Sequence, residues 1–332
     1  MKITFFSTQP YDRESFLKHH TDTQLELIFL EEKLSERTVS LASGSQAVCV
    51  FVNDTLNETI IQQLSQLNVQ LIALRCAGFN NVDLKAVQAC NIRVVRVPAY
   101  SPYAVAEHAL AMIMTLNRKT HKAYNRIREQ NFSLHGLLGF DLYKKTVGVI
   151  GTGHIGEVFC RILHGLGCNI LACDPVKKPE IEDMGIRYAS LNDLLPQCDI
   201  LSLHCPLNES TSYLINSTTI AQMKAGVMLI NTSRGGLVDT KAVIAGLKSG
   251  HIGYLGIDVY EQEEDLFFQN LSEQIIHDDI IARLMSFPNV LITAHQGFFT
   301  QEALDQIACT TFANIKAFGV GEVLINEVKS AH

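Results

Sequence analysis

Val149-Ile150-Gly151-Thr152-Gly153-His154-Ile155-Gly156 sets a G-x-G-x-x-G pattern directly after an apolar run and at the start of a helix-like stretch. A second apolar run, Ile170-Leu171-Ala172-Cys173, ends in Asp174, eighteen residues beyond the last of these glycines. Strand, glycine loop, helix and terminal acid together predict a Rossmann unit that binds a dinucleotide. Gly151 permits the tight turn, Gly153 lets the backbone approach a pyrophosphate, and Gly156 lets the helix pack close to the strand. Free N–H groups and the helix dipole then face the phosphates. Asp174 can accept hydrogen bonds from an adenosine ribose and would repel a 2′-phosphate, so the expected cofactor is NAD. The competing reading of the motif alone is a glycine-rich turn.

The loop lies near the middle of 332 residues, so a segment of domain size precedes it. Length favours two domains. Hydrophobic residues make up 47% of the chain and charged residues 18%, which suits a globular protein with a large core. A net charge of −7 without a basic block argues against nucleic acid as a partner. The opening run Met1-Lys2-Ile3-Thr4-Phe5-Phe6-Ser7 is too short for a signal-peptide core and reads as a first strand. The richest apolar segment, Ala104 to Leu116, is interrupted by Glu107 and His108 and is too short to span a bilayer, so no membrane role is expected. Nine cysteines, an odd number without any C-x-x-C pair, read as reduced thiols of a cytoplasmic protein. No zinc-ligand spacing occurs, and no metal is expected.

The first hundred residues alternate β-rich runs (Ile3–Phe6, Leu25–Leu30, Ala47–Val52, Leu71–Leu74, Val94–Val97) with amphipathic stretches such as Leu56–Leu67. Alternation of this kind implies a parallel sheet covered on both faces. Pro98 and Pro102 bracket a link, and a long helix is expected from Tyr103 to Arg126, buried on both sides and suited to a domain or subunit interface. A second alternating set begins at Thr146, with strands at Val147–Ile150, Ile170–Cys173, Ile200–His204, Val227–Asn231, Tyr254–Asp258 and Val290–Thr293. A final helix from Thr300, with Thr300 as N-cap, has no further strand to serve there and is expected to return to the first sheet. The expected fold class is α/β, with two doubly wound parallel-sheet domains. A Rossmann NAD-binding domain (101–298) is inserted into a flavodoxin-like substrate domain (1–100 and 299–332). Two crossings make a hinge, and the cleft between the domains is the expected ligand site.

In an open α/β sheet, ligands gather at the carboxyl ends of the strands. Arg234 follows the strand ending Asn231-Thr232-Ser233, Glu263 follows Asp258-Val259-Tyr260, and His295 follows Ile292-Thr293-Ala294. Each has a bland alternative: a structural histidine, a member of a solvated acidic run, a surface ion-pair arginine. Their convergence on one sheet edge beside a cofactor favours chemistry. Reduction of a carbonyl needs a proton donor, for which histidine is best matched near neutral pH. A neighbouring carboxylate orients the imidazole. A planar guanidinium binds a carboxylate bidentately. Gly235 and Gly236 are expected to let the backbone approach the ligand. The inventory fits reduction of a small 2-keto acid.

The sequence at this point resembles the D-2-hydroxyacid dehydrogenase family. The resemblance rests on Arg75-Cys76-Ala77-Gly78-Phe79-Asn80-Asn81-Val82-Asp83, Val97-Pro98-Ala99-Tyr100-Ser101-Pro102, the Gly151–Gly156 loop, Asn231-Thr232-Ser233-Arg234-Gly235-Gly236, Gly256-Ile257-Asp258-Val259-Tyr260-Glu261-Gln262-Glu263 and Thr293-Ala294-His295-Gln296. Within the family the chain looks most like the branch that interconverts pyruvate and D-lactate. The segment from Glu264 to Pro288 carries that likeness, with Asp265-Leu266-Phe267-Phe268 and His277-Asp278-Asp279. The resemblance implies that Arg234 binds the pyruvate carboxylate, that His295 is the acid in reduction and the base in oxidation, and that Glu263 pairs with it. It implies that backbone N–H groups of Ala77 and Gly78 also hold the carboxylate and that Tyr100 and Phe298 wall a methyl-sized pocket. For the cofactor it implies His154 and Ile155 at the pyrophosphate and Asp174 at the ribose. Cys205, Pro206 and Thr211 would border the adenosine, with Thr232, Ser233 and Asp258 near the nicotinamide ribose and amide. A homo-oligomer, dimer or tetramer, is expected. A dehydrogenase for another D-2-hydroxy acid (hydroxyisocaproate, glycerate or phosphoglycerate) and an NADH-sensing corepressor are the alternatives.

Overall fold

The computed structural model describes residues 1–263 and 266–329. The chain divides into two compact units: Met1–Ser101 together with the segment from Phe299 onward, and Pro102–Phe298.

In the first unit, β1 (Lys2–Phe5), β2 (Glu26–Phe29), β3 (Ala47–Val50), β4 (Leu71–Leu74) and β5 (Arg93–Val95) form a parallel sheet. Helices α1 (Pro10–His19), α2 (Glu58–Gln66) and α3 (Leu84–Ala89) alternate with them. The strand order β2-β1-β3-β4-β5 is the flavodoxin-like doubly wound order. Ala47-Val48-Cys49-Val50 and Leu71-Ile72-Ala73-Leu74 are buried at every position, because helices cover both faces of the sheet and no residue of a central strand meets water. Asn57 caps α2 by accepting the Ile60 N–H at 3.0 Å, and Ile60, Ile61 and Leu64 then face the core.

The second unit opens with α4 (Pro102–Arg118) and α5 (Thr120–Arg128). The single helix expected over 103–126 is therefore broken. Lys119 adopts a left-handed conformation (φ 51°) and donates from Nζ to the carbonyls of Gly136 and Leu138. Buried Asn117 grips Phe140 through both its backbone groups. The returning segment thus anchors the helix end, and the chain must turn there. The expected burial on both sides is also corrected. Tyr103, Glu107, Ala111, Met114 and Arg118 form one exposed stripe on α4, and α5 buries no residue. The apolar residues Val105, Ala109, Met112, Ile113 and Leu116 are buried in the core of this unit, and the stripe carries Tyr103, Ala111 and Met114 beside the charged Glu107 and Arg118.

There follow β6 (Thr146–Ile150), α6 (His154–Gly165), β7 (Asn169–Cys173), α7 (Pro179–Glu182), β8 (Arg187–Tyr188), α8 (Leu191–Leu194), β9 (Ile200–Leu203), α9 (Ser217–Gln222), β10 (Val227–Asn231), α10 (Thr240–Ser249), β11 (Ile252–Ile257), α11 (Asp279–Met285) and β12 (Val290–Ile292). The order β12-β11-β10-β9-β6-β7-β8 is that of a Rossmann sheet extended by one strand, with the reversal of direction between β6 and β9. Two-residue β8 was not expected, being too short to show alternation. The last helix, α12 (Gln301–Gly319), belongs to the first unit, where it packs on α1 and β4. Thr300 caps it through the Ala303 N–H. No helix of the described residues is long and apolar enough to cross a membrane.

Candidate active site

The glycine loop joins β6 to α6 at the switch point of the second sheet. Gly151 has φ +94°, and a Cβ there would stand 2.5 Å from the Cys205 nitrogen. A Cβ on Gly156 would stand 1.9 Å from the Gly151 carbonyl oxygen, so its absence lets α6 meet β6. Gly153 differs, with no atom within 4 Å of where its Cβ would lie. Gly153 is the N-cap of α6, and His154 and Ile155 open the helix, so their amides have no intrahelical acceptor. The loop therefore presents an open, donor-rich face, as a pyrophosphate requires. Asp174 directly follows β7 and turns toward the loop, accepting the Thr152 N–H at 2.7 Å and the Val176 N–H at 2.8 Å. Lys178 pairs with Glu157 at 3.1 Å.

Across the switch point, the Cys205 carbonyl accepts the Ser233 hydroxyl at 2.6 Å, joining the loops after β9 and β10. Burial pushes the Cys205 thiol up to about 11. The Thr211 hydroxyl donates to the Pro206 carbonyl and accepts the Asn208 N–H, closing its own turn. Thr232 is buried and its Oγ1 has no partner among the described residues. A buried orphan hydroxyl at a strand end is what a bound ribose or amide would satisfy. These features fit a dinucleotide along the carboxyl edge of the sheet.

Arg234 follows on the same loop. Asn231 shapes it by donating to the Arg234 carbonyl (2.9 Å) and accepting the Ser233 N–H (3.1 Å). The Arg234 guanidinium donates to the Ser233 carbonyl at 2.7 Å, leaving most of its donors for a ligand. The role expected for Gly235 and Gly236 is corrected. A Cβ on Gly235 would lie 2.2 Å from the Tyr260 carbonyl carbon, and one on Gly236 3.0 Å from Leu207. These glycines admit neighbouring chain.

Glu263 and His295 come together, with His295 Nδ1 2.8 Å from Glu263 Oε1. Both are mostly shielded from water. The other carboxylate oxygen, Oε2, accepts the Tyr260 N–H at 2.9 Å, so the acid is held at both ends. His295 has φ 53°, a conformation that costs a non-glycine residue about 1–3 kcal/mol. It is held there by Asp258. The Asp258 carbonyl accepts the His295 N–H at 2.7 Å, Oδ1 accepts the Gln296 N–H at 2.8 Å, and Oδ2 accepts the Gly297 N–H at 2.8 Å. Thr293 and His108 complete the carboxylate's surroundings at 2.5 and 3.3 Å. Burial pushes the Asp258 carboxyl upward, but hydrogen bonds from His108 and Thr293 and the two nearby imidazoles outweigh it and hold the group below its ordinary value. Sequence reasoning assigned Asp258 to the cofactor and missed its grip on this turn.

The insert after Glu263 contributes directly. The Phe268 ring centre lies 6.0 Å from that of His295. Phe267 enters the core, and Asp278 accepts the Tyr260 hydroxyl at 2.8 Å while capping α11. Glu264 and Asp265 lie outside the described residues.

In the first unit, Ala77 and Gly78 follow β4. Arg96 fixes their loop by donating to the Ala77 carbonyl at 2.9 Å, and the Cys76 thiol donates to the Gly78 carbonyl. The two carbonyls are thus turned inward onto protein donors. Tyr100 is half-buried in this unit, and Phe298, the last residue of the second unit, is buried.

Residues 110–297 match the family model described as "D-isomer specific 2-hydroxyacid dehydrogenase, NAD binding domain". The chain belongs to the D-isomer specific 2-hydroxyacid dehydrogenase family. It is 51% identical over 328 residues to a 2-hydroxyacid dehydrogenase homolog of Haemophilus influenzae, covering 99% of each chain. It is 48% identical to the D-lactate dehydrogenase of Escherichia coli, covering 99% of this chain and 100% of that one. The apo-structure of the E. coli enzyme superimposes with a TM-score of 0.91 at 46% identity, over 99% of this chain and 100% of that one. The protein is accordingly an NAD-dependent oxidoreductase of D-2-hydroxy acids.

Proposed function

We propose that the protein reduces pyruvate to D-lactate, reversibly, with Arg234, Glu263 and His295 as its catalytic residues. The observation that carries this is the Glu263–His295 pair beside the guanidinium loop at the sheet edge of an NAD-binding unit. Its resemblance in sequence and fold to proteins named D-lactate dehydrogenase supports the choice of substrate. When bound along the 151–156 loop, Asp174 and the Thr232–Ser233 edge, NADH supplies the hydride that the carbonyl carbon accepts. Arg234 binds the substrate carboxylate and polarises the adjacent carbonyl. His295 delivers the proton that the carbonyl oxygen gains, and in the reverse direction removes it from the hydroxyl. Glu263 occupies Nδ1 and so leaves Nε2 as the working nitrogen. In our reading the N–H groups of Ala77 and Gly78 also bind the carboxylate, and Tyr100 and Phe298 limit the pocket to a methyl group.

Replacing His295 by Asn tests the mechanism. Turnover should fall by about 10²–10⁴-fold while NADH binding persists, and unchanged turnover would remove His295 from it. A panel of 2-keto acids with chiral product analysis tests the substrate: a bulkier keto acid used well while pyruvate fails would overturn the assignment. We further read the protein as a cytoplasmic homo-oligomer, dimer or tetramer. Nine free cysteines suit a reducing compartment. Phe132, Leu134 and Leu138 are 74%, 81% and 87% exposed, and α4 carries its own exposed stripe, apolar surface that calls for a partner. A monomer mass in sedimentation equilibrium would refute the assembly.

A further inference from the structure

His108 lies on α4 in the middle of an apolar helix, and the reaction as described makes no use of it. Its surroundings are specific. Its Nε2 lies 3.1 Å from Thr293 Oγ1 and 3.3 Å from Asp258 Oδ1. The Thr293 hydroxyl donates to Asp258 Oδ1 at 2.5 Å, so its oxygen is free to accept and the Nε2 of His108 is the donor. Asp258 spends its remaining acceptor capacity on the Gln296 and Gly297 N–H groups and passes its carbonyl to the His295 N–H. A continuous chain therefore runs from His108 through Thr293 and Asp258 to the turn that keeps His295 at φ 53°.

We propose that His108 is a positioning residue, which through Thr293 and Asp258 fixes the strained turn that aims His295 at the substrate. The proposal rests on His295 being the acid–base residue.

The physical need is clear. A left-handed histidine persists only where its surroundings over-determine it. Asp258 is almost wholly buried, and a buried carboxylate holds its hydrogen bonds tightly only while its own charge is compensated. His108 supplies Oδ1 with a donor from a separate helix, outside both β12 and the turn that follows it. The other titratable groups around the turn are Glu263 on His295, Arg234 on the loop whose Gly235 abuts the backbone of Tyr260, and His121 on α5, which lines with Thr293 an adjoining cavity. Among the described residues, none of these bonds Asp258 Oδ1.

The test compares His108→Leu, His108→Gln and Thr293→Val with the wild type and with His295→Asn. Gln can set an amide donor near the position of Nε2; Leu cannot. For His108→Leu we expect kcat to fall about tenfold, as slight misplacement of a catalytic group does. The KM for the keto acid and the Kd for NADH should stay within about twofold. His108→Gln should recover most of the loss, and Thr293→Val should resemble His108→Leu. Wild-type kcat in His108→Leu overturns the proposal. So does a loss that Gln fails to recover, or one matched by weaker NADH binding, because either marks a structural or cofactor role. If His108→Leu does not fold, Thr293→Val and the Gln variant decide by the same readings. Full turnover in His295→Asn would sink the mechanism itself, whereas an inactive His295→Asn beside a fully active His108→Leu sinks only this inference.

Discussion

The three glycines of the 151–156 loop share a motif but differ in what surrounds them, and substitution by alanine should separate them. A Cβ on Gly156 would fall 1.9 Å from the Gly151 carbonyl oxygen, where even a tight contact needs 3.0 Å. Helix α6 would have to retreat by about 1 Å, yet Val158, Phe159, Cys160 and Leu163 lock it into the core. Overpacking of this kind costs about 1–3 kcal/mol. At roughly 3 °C per kcal/mol for a unit of this size, Gly156→Ala should melt about 3–9 °C lower without any cofactor. Gly153→Ala should do nothing of the sort. Its φ is −59° and nothing lies within 4 Å of the new methyl group, so the apo melting temperature should stay within about 2 °C. Its effect should appear only when NADH is added, because the methyl group would occupy the side from which the pyrophosphate approaches. A tenfold rise in Kd, about 1.4 kcal/mol, is expected. Melting curves and titration of NADH's own fluorescence, in a chain that has no tryptophan, measure both effects. Gly153→Ala binding NADH like the wild type would show that the pyrophosphate does not lie on this loop. Gly156→Ala melting like the wild type would refute the steric account.

Two further perturbations probe the same unit. Asp174→Ala removes the acceptor of the Thr152 and Val176 N–H groups along with the charge; NADH binding should weaken about tenfold and discrimination against NADPH should relax, and an unaltered NADH-to-NADPH preference would contradict the role given to Asp174. The His204 imidazole, half-buried with its Nδ1 enclosed, lies against Phe159 and is joined to Ser202 at 2.9 Å, and desolvation lowers it from 6.5 to about 3. The unfolded chain binds this proton below about pH 6.5 and the folded chain does not, so stability is lost as pH falls from there toward 3, by up to about 1.4 kcal/mol per pH unit. His204→Gln should lack that contribution; urea melts between pH 6.5 and 4.5 with equal slopes for both proteins would refute it.

The strands and the cofactor loop could be read from the sequence because each declares itself within a short window. Alternating or continuous apolar runs mark β1 to β7, and the glycine spacing with Asp174 marks the loop. Arg234, Glu263 and His295 could be singled out as candidates because each follows a strand end, where open α/β sheets gather ligands. What stayed hidden depends on partners far along the chain. Gly235 announced that something must come close; that it is the backbone of Tyr260 rather than a ligand is not written in its neighbours. Lys119 carries no breaker signal, and the helix stops there because Asn117 and Lys119 are claimed by residues 136–140. His108 looked like an interruption in an apolar run, since Thr293, 185 positions away, is what gives it meaning. A polar side chain inside an otherwise apolar helix must be satisfied by something buried. In a chain whose proposed acid–base residue, His295, follows β12, the groups able to satisfy His108 are few, and the carboxylate of Asp258, just after β11, is the strongest acceptor among them. Chemistry that needs a strained residue therefore leaves a second mark in the sequence, at the site of the group that holds the strain.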